Sequence, residues 1–165
     1  LQYLQTGIDE YLKRCRPFAN ISVHEIAEAA SATHKTKDQV LAEEALGFDP
    51  FLKGNPYRVA LTEHGKTYTS ERFSEELFKR MADVTGLTPI GGRIDTPNRG
   101  LSRGASTTMI MMVGGAQGLA PSLVHQADWQ LSLSSLTFPH PLVRLILLEQ
   151  LYRAFKIQRN EPYHK

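Results

Sequence analysis

Three stretches of this chain combine residue types and spacings that could do chemistry. The first is Val113-Gly114-Gly115-Ala116-Gln117-Gly118-Leu119, an apolar run that breaks into glycines and then opens toward a helix. Without a Cβ, glycine lets backbone N–H groups come close to a ligand, and open α/β sheets place their sites at such carboxyl ends of strands. The spacing is neither the dinucleotide fingerprint Gly-x-Gly-x-x-Gly nor a phosphate-cradling loop, because no Lys-Ser/Thr pair follows. Alone, it also reads as a structural turn. The second stretch, Leu131-Ser132-Leu133-Ser134-Ser135-Leu136-Thr137-Phe138-Pro139-His140, interleaves hydroxyls with apolar residues. Its amides and hydroxyls would line the polar edge of a small-ligand pocket, with Leu133, Leu136 and Phe138 as apolar walls. The plainer alternative is a serine-rich approach to a helix capped by Thr137. The third is the basic ending, Arg153, Lys156 and Arg159 followed by Glu161-Pro162-Tyr163-His164-Lys165. An aromatic ring and an imidazole among cations could stack on a base and bind phosphate, although tails are also often simply solvated.

Periodicity supplies the elements that must carry these stretches. Leu1, Leu4, Ile8, Tyr11 and Leu12 recur at helical spacing up to Cys15, ahead of Pro17. Residues 20–26 alternate Ile21 and Val23 against Ser22 and His24 as a strand would, and residues 27–36 read as a loop. Val40, Leu41, Glu44, Ala45 and Phe48 predict a helix that ends or kinks at Asp49-Pro50. Residues 57–62 predict a strand and His64-Gly65-Lys66 a turn; residues 70–82 predict a helix capped by Ser70, with Phe73, Leu77 and Met81 inward. Residues 84–106, with five glycines, two prolines and Arg93, Arg99 and Arg103, read as a long exposed loop. Beyond it come a strand at 109–113 covered on both faces, a short helix at 123–128, a strand at 129–133 and a long helix at 139–158. Strands alternating with helices predict an α/β fold with a largely parallel sheet, in one domain over residues 1–165. The final helix is apolar nearly all round, at Leu142, Val143, Leu145, Ile146, Leu147, Leu148, Leu151, Ala154 and Ile157. Such a helix needs cover from a second surface, most simply a partner subunit.

Composition sets the class. With 41% hydrophobic and 22% charged residues, the chain has the balance of an ordinary globular domain. Its richest apolar run, residues 142–148, is interrupted by Arg144 and is far too short for a membrane span. The lone Cys15 cannot form a disulfide within the chain and reads as a small buried residue; the six histidines show no i, i+4 pair, so no metal site is predicted. Residues 1–83 carry 11 basic and 13 acidic groups, whereas residues 84–165 carry 8 basic and 4 acidic. A cationic second half would draw a polyanion to one part of the surface, unless the unevenness is chance.

Taken in order and spacing, Gly114-Gly115-x-x-Gly118, the hydroxyl-rich run of residues 131–140, Leu142-Val143-Arg144, Glu149-Gln150-Leu151-Tyr152-Arg153-Ala154 and Pro162-Tyr163-His164-Lys165 closely resemble the ribosomal RNA large subunit methyltransferase H family over residues 107–165. Residues 1–83 resemble it more loosely, in Gly7-Ile8-Asp9-Glu10-Tyr11 and in residues 61–66; no counterpart of residues 84–106 can be placed from these motifs. Family members also begin with a short strand that does not precede the first helix here. The resemblance implies the SPOUT fold, an α/β sheet whose C-terminal part is threaded as a trefoil knot, in a homodimer with S-adenosyl-L-methionine as cofactor.

The cofactor positions it implies are Leu61, Gly114, Leu133, Ser134, Ser135, Leu136, Thr137 and Phe138, Ser135 standing where members vary. The implied reaction is methylation at N3 of a pseudouridine in large-subunit RNA within the ribosome, in the cytoplasm or an organelle. His164 would be the base or proton relay, since imidazole titrates near neutral pH, and Tyr163 would stack on or hydrogen-bond the nucleobase. Arg144 and Arg153 would bind phosphate or orient the base, the alternative for both being a salt bridge to Glu149; Arg93, Arg99 and Arg103 would add non-specific RNA affinity. Two rival classes are a non-catalytic RNA-binding or ribosome-assembly factor on the same fold and a dinucleotide enzyme. The second lacks the acidic residue that should follow a true fingerprint.

Overall fold

A sheet unit and a helical unit divide the chain, and in this computed structural model residues 2–27, 35–85 and 108–163 are described. The sheet unit takes residues 23–67 and 106–140; the helical unit takes residues 1–22, 68–105 and 141–165.

In the sheet unit, three parallel strands run in the order β2-β1-β3: β1 (Tyr57–Lys66), β2 (Met109–Val113) and β3 (Trp129–Leu131). The predicted parallel α/β sheet is present. Val59 and Ala60, adjacent on β1 and therefore pointing to opposite faces, are both fully buried, as a central parallel strand requires. Three helices supply cover: α2 (Lys37–Leu46), α3 (Asp49–Leu52) and α5 (Pro121–His125). Leu41, Ala60, Met112, Ala120 and Leu123 form one apolar cluster, with Phe48, Leu52 and Ile110 packed against it. Thr36 starts α2 through a capping box with Gln39, which occupies two of the helix's unpaired N–H groups. The helix stops at Leu46, and Pro50 falls in the first turn of α3, where its missing N–H costs nothing.

Two local expectations are corrected here. Residues 20–26 are irregular chain rather than a strand. Ile26 packs so closely on Gly47 that a Cβ there would lie 2.2 Å from its Cγ2, and the His24 ring lies 4.8 Å from that of Phe51. These residues find side-chain contacts without a ladder partner, and Val23 stays exposed. The second correction concerns His64-Gly65-Lys66, which belongs to β1. The strand leaves register after Leu61 and rejoins at Lys66, which again pairs with Leu131. A Cβ on Gly65 would sit 2.5 Å from the Leu131 carbonyl carbon, so glycine here serves a close backbone approach instead of a turn.

The helical unit comprises α1 (Gln2–Cys15), α4 (Ser70–Thr85) and α6 (His140–Gln158). Leu4, Ile8 and Cys15 of α1, Phe73, Leu77 and Phe78 of α4, and Leu147, Leu148, Leu151, Ala154 and Phe155 of α6 are buried. Cys15 is the small core residue expected, and burial pushes its thiol up to about 11. Gly7 lets α1 approach α6: a Cβ there would lie 3.0 Å from a Leu145 methyl. The buried Ser74 hydroxyl donates to the Ala154 carbonyl at 2.9 Å, tying α4 to α6. Thr69, rather than Ser70, caps α4 by accepting from the Arg72 amide, which leaves the Ser70 hydroxyl to donate to Gln150 of α6 at 2.9 Å. α4 also takes in residues 84 and 85, which the sequence placed in the glycine-arginine loop; the rest of that loop, residues 86–106, lies outside the described residues. No helix among the described residues is long and apolar enough to cross a membrane.

Candidate functional site

The sheet unit brings the glycine break and the hydroxyl-rich run to one edge. Leu61 is the register partner of both Val113 and Leu131, so the three residues form a row across the sheet where β2 and β3 end. Neighbouring strands stand roughly 4.8 Å apart, which puts Gly114 and Ser132, each one step beyond that row, about 10 Å apart on either side of β1. Residues 114–118 turn back sharply: Gly118 donates to the Gly115 carbonyl at 3.0 Å and takes φ +83°, and a Cβ on Gly114 would lie 2.3 Å from the Gly118 carbonyl carbon. No side chain fits at Gly114 without moving backbone. On the other side of β1, Ser132 is buried and donates to the Ser134 carbonyl at 2.9 Å, while the Ser134 hydroxyl accepts from the Leu136 amide at 3.0 Å. This serine-built turn holds Leu136 outward, 68% exposed; Leu133 and Phe138 are half-buried, and Ser135 and Thr137 are exposed. The helix begins only at His140, so Thr137 is not its flanking cap residue.

The tail residues belong to the helical unit, where side-chain pairing dominates. Asn160, in the left-handed region at φ 52°, ends α6, and Glu161 then binds back to Lys156 through both its amide and its carboxylate. That reversal brings Tyr163 down beside Tyr152, ring centroids 4.9 Å apart, and under Arg153, 5.2 Å from the ring. The Tyr163 hydroxyl donates to Glu149 Oε1 at 3.2 Å. A carboxylate only accepts, so the Tyr11 hydroxyl, also 3.2 Å away, must donate to Tyr163. Burial first, and then the neighbouring Glu149 carboxylate that accepts its proton, hold the Tyr163 phenol well above its ordinary range. Arg153 meets the same Glu149 oxygen through Nε at 3.0 Å and Nη2 at 2.5 Å, and that hydrogen bond raises the guanidinium further. For Arg153 the salt bridge to Glu149 is therefore formed; Arg144 sits half-buried on α6, and His164 lies outside the described residues.

Over residues 1–94 and 98–164 the chain matches the family described as "Predicted SPOUT methyltransferase". The chain belongs to the SPOUT methyltransferase family. It is 40% identical over 167 residues to the ribosomal RNA large subunit methyltransferase H of Moorella thermoacetica, with 99% of this chain and 91% of that protein covered. The proteins of the same name from Bordetella petrii and Bacillus pumilus are 36% and 34% identical, again over 99% of this chain and over 90% and 92% of their own lengths.

Two further residues of this SPOUT chain stand at this edge. Thr62 follows Leu61 where β1 leaves register, and its hydroxyl oxygen is enclosed with no hydrogen-bond partner among the described residues. Glu44 of α2 lies at the glycine turn, its Oε2 3.3 Å from where a Cβ on Gly115 would stand. Neither is part of a motif: Thr62 looks like an ordinary strand residue, and Glu44 looked like a helix-forming one. Only the fold brings them to this edge.

Proposed function

We propose that this protein transfers a methyl group from S-adenosyl-L-methionine to large-subunit ribosomal RNA, at N3 of a pseudouridine, with the donor held at the carboxyl edge of the sheet. The row Leu61, Val113 and Leu131 supports the reading, because the two loops flanking β1 both leave the sheet at that row, as a shared donor site requires. The residues fit such a donor: Leu136 offers uncovered apolar surface, and the enclosed Thr62 hydroxyl has unused hydrogen-bonding capacity on the same edge. The names of the relatives support ribosomal RNA as acceptor.

When bound, the donor would supply an electrophilic methyl for in-line attack by the acceptor nitrogen, a neutral thioether leaving with the bond pair. Leu133, Ser134, Ser135, Leu136, Thr137 and Phe138 would hold the donor on one side and Gly114 and Leu61 on the other, so that positioning and exclusion of water lower the barrier. The N3 proton must leave, and His164 is the group we assign to take or relay it. Tyr163 and Arg153, kept in place by Glu149, and Arg144 would orient the base or bind phosphate. The reading carries with it a single knotted methyltransferase domain, a second subunit over the apolar residues of α6, and action where ribosomes are found.

The test is calorimetry with S-adenosyl-L-methionine, followed by transfer of a labelled methyl group to intact ribosomes and mass spectrometry of the RNA. Binding and a single added methyl on pseudouridine are expected. No heat and no transfer would leave an RNA-binding factor without catalysis.

A further inference from the structure

The described carboxylates of this protein are mostly matched. Glu10 pairs with Arg14, Glu43 with Lys35, Glu76 with Arg80, Glu149 with Arg153 and Glu161 with Lys156. Glu44 differs from its neighbour Glu43. It is half-buried on α2, its main-chain oxygen accepts the Gly47 amide, and its carboxylate has neither a salt bridge nor a side-chain hydrogen bond among the described residues. It is nevertheless placed beside backbone, at the Gly115 turn. Glycine at 115 leaves the space between that carboxylate and the turn open, and the turn lies one residue past Gly114 at the edge where β2 ends.

A half-buried carboxylate loses hydration, and no described side chain compensates Glu44 for it, so a cation brought by a ligand would be a strong partner. We propose that Glu44 binds a positive centre of the methyl donor, through its sulfonium or its ammonium group, and so adds a charge-reading contact to the donor site. This rests on the donor edge proposed above. The two cationic sources differ in fate. Methyl transfer moves the methyl carbon to the acceptor nitrogen and leaves the sulfur bond pair on a neutral thioether, whereas the ammonium is unchanged. A contact with the sulfonium would therefore favour donor over product, and one with the ammonium would hold both.

Titration calorimetry of the wild-type chain, Glu44→Gln and Glu44→Ala with S-adenosyl-L-methionine and with S-adenosyl-L-homocysteine tests this. Gln keeps the shape and removes the charge. Roughly tenfold weaker donor binding in both variants is expected from the loss of one partly screened charge pair. If product binding is unchanged the partner is the sulfonium, and if it weakens equally the partner is the ammonium. Donor binding at wild-type strength in a folded Glu44→Gln variant overturns the proposal. A wild-type chain that binds neither compound overturns the donor edge itself.

Discussion

The carboxyl edge of the sheet and the turned-back end of α6 are built in opposite ways. At the edge, geometry comes from backbone: a glycine turn with no room for a Cβ, a serine turn closed on its own amide, and side chains that, among the described residues, are exposed or unmatched, as at Leu136, Thr62 and Glu44. At the end of α6, Tyr11, Tyr152, Tyr163, Arg153 and Glu149 are bound to one another. The contrast supports the proposed placing of the donor at the sheet edge. A ligand gains from capacity the protein has left unused, whereas the matched cluster gives stability and fixes direction.

That contrast can be broken by substitutions, starting with the largest effect. Leu77→Ala opens a cavity in the core of the helical unit and should lower unfolding free energy by about 2–5 kcal/mol in denaturant titration, with donor affinity at low temperature unchanged. Gly114→Ala should weaken donor binding and cost some stability as well. Its Cβ forces backbone apart at the edge, and at a typical strain of about 1–3 kcal/mol donor binding by calorimetry should fall roughly 10- to 100-fold. Leu136→Ser removes an exposed wall, so the melting temperature should hold while donor affinity drops about tenfold.

The smallest effect concerns pH. The Tyr163 phenol is raised in the folded state, so its contribution to stability is complete below the ordinary phenol value near 10 and is lost as pH climbs above it. Tyr163→Phe should flatten that alkaline loss, read as thermal unfolding against pH from 8 to 11. An unchanged slope would mean that the phenol is not held as described.

Much of the fold was legible because periodicity reports burial. The stripe of Leu4 and Ile8, the continuous run of residues 109–113 and the all-round apolar α6 each appear where their patterns place them. The failures have physical causes as well. Ile21 and Val23 alternate like a strand, but alternation cannot supply a neighbouring edge, and Ile26 and His24 pack instead against Gly47 at the end of α2 and against Phe51 of α3. Gly65 looked like a turn because sequence does not separate a need for positive φ from a need for close approach. At the candidate site, Gly114 and residues 133–138 were legible through resemblance and composition. Glu44 and Thr62 were not, since their proximity arises only when α2 and β1 are packed.

The central claim is that the turn after β2 and the turn after β3 grip one donor molecule together. Backbone amide NMR during titration with S-adenosyl-L-methionine tests it most directly. The account predicts that the amides of residues 114–119 and 132–138 shift together along a single binding curve. Shifts confined to one of these segments, or centred instead on the Glu149 cluster, would contradict it.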